Sequence, residues 1–403
     1  MGEHEIHLWE LPPTGVYVTL ELEAQKRLFS DAAAKYSSIA EFAEELRRRS
    51  AIYEFYCGVI NGNVNSWTRG VRRNVPIWVL IETCKILSGT DSAENEEMRV
   101  VEAKVEHYQS AGKGVEIRGK FPIQITPEFD AIVSHLMGDG TLGTEKSYAS
   151  YKQKNEIARR RFLQQLFNVF GEFPTNHSFE KYWQVCIPKP IELIIKKHYD
   201  LGDAGCLERR LPLAMTTKPK EYRLAALAAF LVDDGHIGDA VELYSGNYEL
   251  LQDYRSLVVG LGYRCSLIHS RCGHRSLNPM HSFRISLKDC RKLLEDVTVL
   301  SSRFPTLDFA HKQAVLEEIV FRQSLVRECK TKGANEATKR KILGLLEQGT
   351  TDTKTLVSRL HVGGQTMREH LQHLEQQGMV SRAGKDKNAI VWMRLPAGTT
   401  NNP

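Results

Sequence analysis

The chain has 403 residues, which is more than a single hydrophobic core usually organises, so its length predicts several domains. Hydrophobic residues make up 42% of the chain and charged residues 26%, proportions that are typical of a globular protein and exclude an intrinsically disordered one. The net charge of +5 permits an anionic partner but does not by itself indicate one.

Cysteine use and hydropathy predict an intracellular protein without a membrane segment. The eight cysteines are scattered along the chain, and the N-terminus MGEHEIHLWELPP has neither a basic start nor an apolar run. The longest apolar stretch, LAALAAFLV at 224–232, is too short to span a bilayer.

Residues 1–27 show no clear period and are interpreted as an N-terminal arm or edge strand. Residues 28–120 are predicted to be helical, because apolar residues in SSIAEFAEELRRRS recur at helical spacing after a serine that can cap the helix. Short helices joined by polar turns, with arginines nearby, are typical of a helix-turn-helix unit, although a helical cap with a solvated basic face fits equally well. The arginines are Arg47, Arg48, Arg49, Arg69, Arg72 and Arg73.

Residues 121–328 contain an internal repeat. The segment TPEFDAIVSHLMGDGTLG opens the first copy, at 121–210, and EYRLAALAAFLVDDGHIG opens the second, at 211–328. Both are apolar helices that end in Asp-Gly, and superposing Asp139 on Asp234 aligns strand and helix patterns after each of them. The repeat predicts an α+β fold with two pseudo-symmetric copies of an α-β-β-α-β-β-α unit.

The segment CSLIHSRCGH, within the second copy, groups four zinc-type ligands. They are Cys265, His269, Cys272 and His274. Their spacing matches none of the usual paired-ligand zinc patterns, and the segment lies between strand-like stretches. We therefore expect a basic polar loop and no zinc.

Residues 335–396 predict a separate winged helix-turn-helix domain, in which three amphipathic helices precede two strand-like pieces around a basic turn. Its third helix contains Gln365, Thr366, Arg368 and His370, and such a helix reads the major groove of DNA. The same type of domain can instead make protein contacts.

The two Asp-Gly helices point to a cation site. Two helices pack closely only where small residues face each other, as Ser134 and Gly138 would face the second helix. This packing would bring Asp139 and Asp234 together, and a divalent cation such as Mg²⁺ would compensate their repulsion. The small residues of the second helix are Ala225, Ala226, Ala228 and Ala229.

The residues beside the two aspartates carry further expectations. Gly140 and Gly235 are expected to let the chain leave each helix through a positive-φ turn. Asp233 would loosen the helix interface, hydrogen-bond across it or act as an additional metal ligand, and Gly138 is a further candidate ligand. His135 is interpreted as a polar interface or packing residue.

The segments LAAFLVDDG and IVSHLMGDGTLG resemble the two signature helices of the LAGLIDADG homing endonucleases, and the likeness covers about half of the chain. The resemblance implies a monomeric, sequence-specific endonuclease that cleaves double-stranded DNA with Mg²⁺, or with Mn²⁺ as a substitute, one aspartate for each strand. It also implies a basic residue near each metal, for which Lys189 and Lys288 are the candidates, with Lys181 and Arg284 as substitutes. DNA would be read by Lys146, Tyr148, Lys152 and Gln153 in the first copy and by Tyr244, Asn247 and Arg284 in the second.

Two other functions fit the same sequence. A transcription regulator would keep the repeated core only as a catalytically silent DNA-binding platform, and the winged helix favours that function. An RNA-splicing maturase, which members of the resembled family can be, would instead bind intron RNA. Since Asp139 and Asp234 are both present, we favour the nuclease.

Overall fold

A computed structural model of the chain divides into two compact units, Met1–Gln313 and Ala314–Pro403. Each unit combines helices with small antiparallel sheets, so the protein is α+β. None of the helices in the described part of the chain has both the length and the apolar character that a membrane span needs. The structure describes residues 5–53, 61–110, 114–143, 147–176, 178–202, 205, 207–238, 240–272, 279–329, 332–386 and 389–395.

The N-terminal part of the first unit packs helices around a three-stranded sheet. Its elements are β1 (Glu5–Ile6), β2 (Tyr17–Leu20), α1 (Leu22–Ala33), α2 (Ile39–Ser50), α3 (Asn61–Thr68), β3 (Asn74–Pro76), α4 (Ile77–Ser88), α5 (Glu96–Glu102), β4 (Val105–Gln109) and β5 (Ile123–Gln124). The structure differs from the expected arm or edge strand, because β2 lies in the centre of the sheet β3-β2-β4. Val18 and Leu20 are fully buried there, but four residues are too few to show a period in the sequence.

The arginines of this region are mostly occupied by nearby acceptors. Arg48 and Arg49 bind Glu45, and Arg49 also binds the buried Glu82. The other pairs are Arg47 with Glu44, Arg72 with Asn63, and Arg73 with Glu106. Much of the basic charge is therefore balanced within the region itself.

The next part of the unit begins with a helix that is buried on all sides. Its elements are α6 (Pro127–Met137), β6 (Gly140–Thr141), β7 (Ser150–Lys152), α7 (Glu156–Phe170), α8 (Ser178–Lys181), β8 (Gln184–Cys186) and α9 (Lys189–Tyr199). The three strands form an antiparallel sheet in the order β6-β7-β8. We call this part, with the segment up to residue 212, the first half.

The second half has the same order of main elements. Its elements are α10 (Leu213–Thr217), α11 (Lys220–Asp234), β9 (Gly235–Ile237), β10 (Val241–Ser245), α12 (Tyr248–Gly260), β11 (His269–Arg271), β12 (Met280–Ile285) and α13 (Cys290–Arg303). Its sheet has the order β9-β10-β12-β11, so it follows the first sheet and adds one strand. Asn155 and Asn247 begin α7 and α12 in the same way, since each side chain accepts a hydrogen bond from a backbone N–H three residues later.

Helices α6 and α11 pack against each other through small residues. The Ser134 hydroxyl donates to the carbonyl oxygen of Ala226, 2.6 Å away, and is 2.5 Å from the Tyr254 hydroxyl. A Cβ at Gly138 would lie 2.9 Å from the Cβ of Asp233, so only glycine fits there without a shift. The close approach expected from the sequence is therefore present, and it holds the ends of both helices together.

The second unit contains the helices and strands predicted for residues 335–396. Its elements are α14 (Gln313–Cys329), α15 (Lys332–Glu347), β13 (Thr351–Asp352), α16 (Thr353–Leu360), α17 (Gly364–Gln376), β14 (Val380–Asp386) and β15 (Ala389–Arg394). The short strand β13 was not predicted, and it pairs with β15 in a sheet of order β13-β15-β14. Ile342, Leu356, Met367 and Leu371 lie in the core between the helices and this sheet.

Candidate metal centre

The ends of α6 and α11 bring two carboxyl groups into electrostatic contact. Asp139 follows α6 by two residues, Asp234 is the last residue of α11, and both are half-buried. Burial, followed by the charge of Asp233, raises the pKa of Asp139 to about 6. Burial, followed by the charges of Asp139 and Asp233, raises the pKa of Asp234 to about 7. The site therefore holds negative charge that the surrounding protein balances only in part.

Asp233 forms a hydrogen-bonded link between the two halves. Its side chain is fully buried, with Oδ2 at 2.8 Å from Nδ1 of His135 and Oδ1 accepting from the Tyr151 hydroxyl at 2.7 Å. Of the three roles considered for Asp233, the one observed in the structure is hydrogen bonding across the helix interface. Because both carboxylate oxygens are engaged in this way, we no longer expect Asp233 to bind a metal ion.

Gln153 belongs to the aspartate site. Its Nε2 donates to Oδ2 of Asp139 at 2.6 Å, and its side chain is half-buried at the end of β7. We predicted Gln153 as a DNA contact because side chains alternate between the two faces of a strand. That pattern does not show that this strand ends beside Asp139. In the structure, Gln153 orients the Asp139 carboxylate.

Gly140 and Gly235 are required for space and not for a positive φ, so the expected positive-φ turn is wrong. Gly235 has an extended backbone, with φ of −94°, and Gly140 is outside the left-handed region as well. A Cβ at Gly140 would lie 2.5 Å from Cα of Leu136, and one at Gly235 would lie 2.4 Å from the carbonyl oxygen of Leu231. In both places the chain turns back so tightly that its own helix excludes a side chain.

The substitution Gly140→Ala is expected to destabilise the first unit by about 2 kcal/mol or more, because the backbone of the last helical turn must shift. Gly246→Ala is the matched control, since a Cβ there would make an ordinary contact with Leu207 at 3.6 Å. Urea unfolding followed by circular dichroism gives both free energies. Equal stabilities of the two variants would contradict the steric explanation.

The lysine at the acidic cluster is Lys312, in a short 3-10 helix (Ala310–Lys312) after α13. Its charge lowers the pKa of both Asp139 and Asp234 and so opposes the effect of burial. Burial lowers the pKa of Lys312 itself, although the three nearby aspartates oppose that change. Sequence reasoning missed Lys312 because it lies outside the repeated motif.

The lysines predicted for this role lie elsewhere. Lys189 begins α9 and donates to the buried Glu192 at 2.8 Å. Lys288 is exposed, in a 3-10 helix that precedes α13, and Lys181 is exposed at the end of α8. We therefore replace Lys189 and Lys288 by Lys312 as the basic residue of the site.

The predicted DNA contacts fall into three groups. Tyr148, Lys152 and Arg284 are exposed, and Arg284 also forms an ion pair with Glu242. Tyr244 is half-buried on β10. Asn247 is buried with both ends of its amide bonded, to the N–H of Leu250 and the carbonyl of Arg209, so we no longer expect it to contact DNA. Lys146 lies outside the described residues.

An exposed aromatic surface lies beside Gln153. Trp183 precedes β8, is 44% exposed and has a positive φ of 54°, which is unusual for a bulky residue. Its carbonyl accepts from the N–H of Gln153, and Nζ of Lys154 lies 5.9 Å from the centre of its ring. Tyr182 is exposed next to it. Sequence reasoning missed this surface, because Tyr-Trp before a strand looks like an ordinary strand start.

In the second unit, Gln365 and Arg368 are exposed on the first turns of α17, and Thr366 is half-buried. His370 is buried on the opposite side of the helix, in contact with the core, so it is not available to a partner. The first three residues therefore stay candidates for DNA contact.

The proposed cation would have a small set of protein ligands. Within the described residues, no group of three or more His, Cys, Asp or Glu side chains is arranged to hold a metal ion. Of the four zinc-type residues, Cys265 is half-buried, His269 and Cys272 are exposed, and His274 lies outside the described residues.

Asp139 and Asp234 have carboxylate oxygens, the type of ligand that Mg²⁺ prefers. Mg²⁺ takes one or two carboxylates and completes its octahedron with water and phosphate oxygens. The raised pKa of each carboxyl is what an incompletely balanced cation site should have. Neither the comparison with protein-family models nor the search of curated proteins found a match to this chain.

Proposed function

We propose that this protein is a magnesium-dependent endonuclease that cleaves double-stranded DNA at specific sequences and acts as a monomer. The observation that carries the proposal is the pair Asp139 and Asp234, held at the ends of two packed helices, where burial and nearby aspartate charge raise the pKa of both carboxyls. Two such carboxylates, with Lys152 and Arg284 exposed on the two sheets, would be suited to phosphodiester chemistry on a long, anionic substrate.

The architecture supports an assignment of residues 121–313 to a duplicated core of the LAGLIDADG type. Both halves begin with a buried helix and continue with a strand pair and a helix capped by asparagine, and the sheet of the second half follows the order of the first with one added strand. In the second unit, the order helix, strand, helix, helix, strand, strand from α15 to β15 supports the proposal of a winged helix there. These features support the proposed family without depending on any one residue.

The chain's own residues would prepare the site for the reaction. A bound Mg²⁺ ion would supply Lewis-acid stabilisation to the phosphate and lower the pKa of bound water. Asp139 and Asp234 would hold it, with one aspartate serving each DNA strand. Gln153 orients Asp139, and Lys312 places a positive charge near both aspartates. Lys152 and Arg284, exposed on the two sheets, would bind backbone phosphates and position the duplex.

A cleavage selection tests the proposal. The full chain is incubated with a randomised duplex library and Mg²⁺, beside the Asp139→Asn/Asp234→Asn variant and beside a sample with EDTA. The wild type is expected to cut a defined subset of the library, whereas the variant should bind the same sequences and leave them intact. Selective binding by the wild type without any cleavage would refute the nuclease.

Selective DNA binding by the wild type without cleavage would support the second candidate function, a transcription regulator with a catalytically silent core. The observation in its favour is the second unit, where Gln365 and Arg368 are exposed at the start of α17 as in a DNA-reading helix. A regulator would bind DNA equally well in Mg²⁺ and in EDTA. The same library, recovered by filter binding, distinguishes the two functions.

The aromatic surface next to Gln153 gives a separate prediction. Trp183→Gly is expected to weaken DNA binding about tenfold, because an exposed aromatic ring contributes stacking with a base. Glycine also accepts the positive φ at this position, so the protein itself should not lose stability. Fluorescence anisotropy with a bound sequence measures the affinity, and Trp183→Phe, which keeps a ring, is the control. Unchanged affinity in the glycine variant would exclude this surface from the interface.

A further inference from the structure

Two basic side chains bind the ends of the aspartate helices in the same way. Nη1 of Arg209 donates to the carbonyl oxygens of Leu136 and Gly140, at 3.2 and 3.4 Å. Nζ of Lys312 donates to the carbonyl oxygens of Leu231 and Gly235, at 2.8 and 2.6 Å.

The accepting carbonyls occupy matched positions in the two halves. In each half, one belongs to the third residue before the aspartate and the other to the glycine directly after it. Each donor also comes from a matched place, the segment that follows the last helix of its own half. An arginine serves one half and a lysine the other, in segments that the sequence repeat did not align.

The helix ends need such a partner. The last four carbonyl oxygens of a helix accept no hydrogen bond from an N–H group of the same helix. They give the C-terminus of the helix a partial negative charge. Asp139 and Asp234 add a further negative charge at this unfavourable place. A cation bound to the same carbonyls offsets both effects and fixes the turn between the helix and the following strand.

We infer that Arg209 and Lys312 are a matched pair of positioning residues, each of which holds the turn that carries one aspartate of the proposed metal site. The inference deepens the proposed nuclease function, on which its catalytic consequence rests. Loss of one cap should disturb the backbone turn that carries the aspartate of that half and leave the turn of the other half in place.

The cap of the second half is itself held by the first half. The segment that carries Lys312 lies against α7, where Arg161 donates to the carbonyl of Pro305 at 2.8 Å and to Asp308 at 2.7 Å. Gln165 donates to the carbonyl of Thr306 at 3.1 Å. The segment before Lys312 is therefore held by α7 of the first half, while the side chain of Lys312 binds the end of α11 in the second half. The position of Lys312 thus depends on the assembly of both halves.

Hydrogen exchange by mass spectrometry of the full-length variants tests the pair without any assumption about activity. Arg209→Met is expected to raise amide exchange at 138–142 about tenfold and to leave 233–237 unchanged, and Lys312→Met should do the opposite. Lys35→Met is the matched control, because Lys35 donates to the carbonyls of Ile86 and Leu87 at the end of α4, far along the chain from both aspartates. It should leave both aspartate peptides unchanged.

If a methionine variant does not fold, conservative variants still allow the hydrogen-exchange test. Arg209→Lys and Lys312→Arg preserve the charge and a donor, so each should restore most of the protection in its own peptide. Exchange that rises in both peptides, or in neither, would overturn the matched roles.

Cleavage of a strand-labelled duplex adds the catalytic readout. Each methionine variant should slow one strand about tenfold more than the other, and the two variants should affect opposite strands. Equal slowing of both strands by both variants would refute the division between halves. If the wild type cuts no DNA, only the proposed nuclease function is refuted. The hydrogen-exchange data still test whether Arg209 and Lys312 hold the two turns.

Discussion

Asp234→Asn is expected to stabilise the metal-free protein at about pH 8 while it abolishes cleavage of DNA. Burial and the charges of Asp139 and Asp233 raise the pKa of Asp234 to about 7, against 3.8 for the free side chain. Between these values the unfolded chain is ionised and the folded chain is not, so the stability of the wild type falls as pH rises from about 4 to about 7. The penalty is complete above that range, and asparagine avoids it.

The size of the effect follows from the difference in pKa. Each pKa unit corresponds to about 1.4 kcal/mol, and solvent at this half-buried site reduces the total, so we expect a gain of roughly 2 to 4 kcal/mol at about pH 8. At about pH 3 the gain should nearly vanish, because the carboxyl is then mostly protonated in both the folded and the unfolded state. Urea unfolding in EDTA across this pH range measures it.

Asp289→Asn is the control with the opposite sign. The hydrogen bond from Arg264 lowers the pKa of Asp289, so this carboxylate stabilises the fold at neutral pH and its loss should destabilise the protein. If Asp234→Asn also destabilises the metal-free protein at about pH 8, Asp139 and Asp234 do not carry the unbalanced negative charge that the proposed metal site requires.

Asp233→Ala is expected to have the largest destabilising effect in the site. It removes the partner of His135 and of Tyr151 at a fully buried position, where a broken network costs about 3 kcal/mol or more. The variant also relieves repulsion on Asp139 and Asp234, so the comparison belongs at about pH 5, where these two carboxyls carry little charge.

A double-mutant cycle separates the hydrogen bond from the cavity. Tyr151→Phe alone should cost about 1 kcal/mol, and in the Asp233→Ala background it should cost much less, because the bond is already lost. Additive losses would mean that Asp233 does not link the halves through Tyr151.

The sequence predicted the parts of this protein that repeat with a period. The apolar helices before Asp139 and Asp234, the small residues between them and the three helices after residue 335 all lie where the pattern indicated. These elements follow from local preferences and from one buried face, both of which a single sequence contains.

Partners that are distant in the chain could not be predicted. Arg209 and Lys312 contact the aspartate helices from segments outside the aligned repeat. Gln153 lies on a repeated strand, but only the three-dimensional fold shows that its side chain binds Asp139. Asn247 shows the converse error, since its position in the repeat suggested a DNA contact and the structure uses it as a helix cap.

Gly140 and Gly235 were predicted to be necessary, but for a different reason. Glycine after a helix usually indicates a positive φ, whereas here the backbone is too close to its own helix for a Cβ. A sequence shows that a glycine is present, and it does not distinguish a conformational need from a steric one.

We propose that Asp139 and Asp234 hold a divalent cation between the two halves. Titration of the metal-free protein with Mn²⁺ at about pH 8, with free Mn²⁺ measured by electron paramagnetic resonance, tests it without knowledge of the DNA target. We predict that the wild type binds Mn²⁺, that Mg²⁺ displaces it, and that Asp139→Asn/Asp234→Asn abolishes the binding. Equal binding by the double variant, or no binding by the wild type, would contradict the claim.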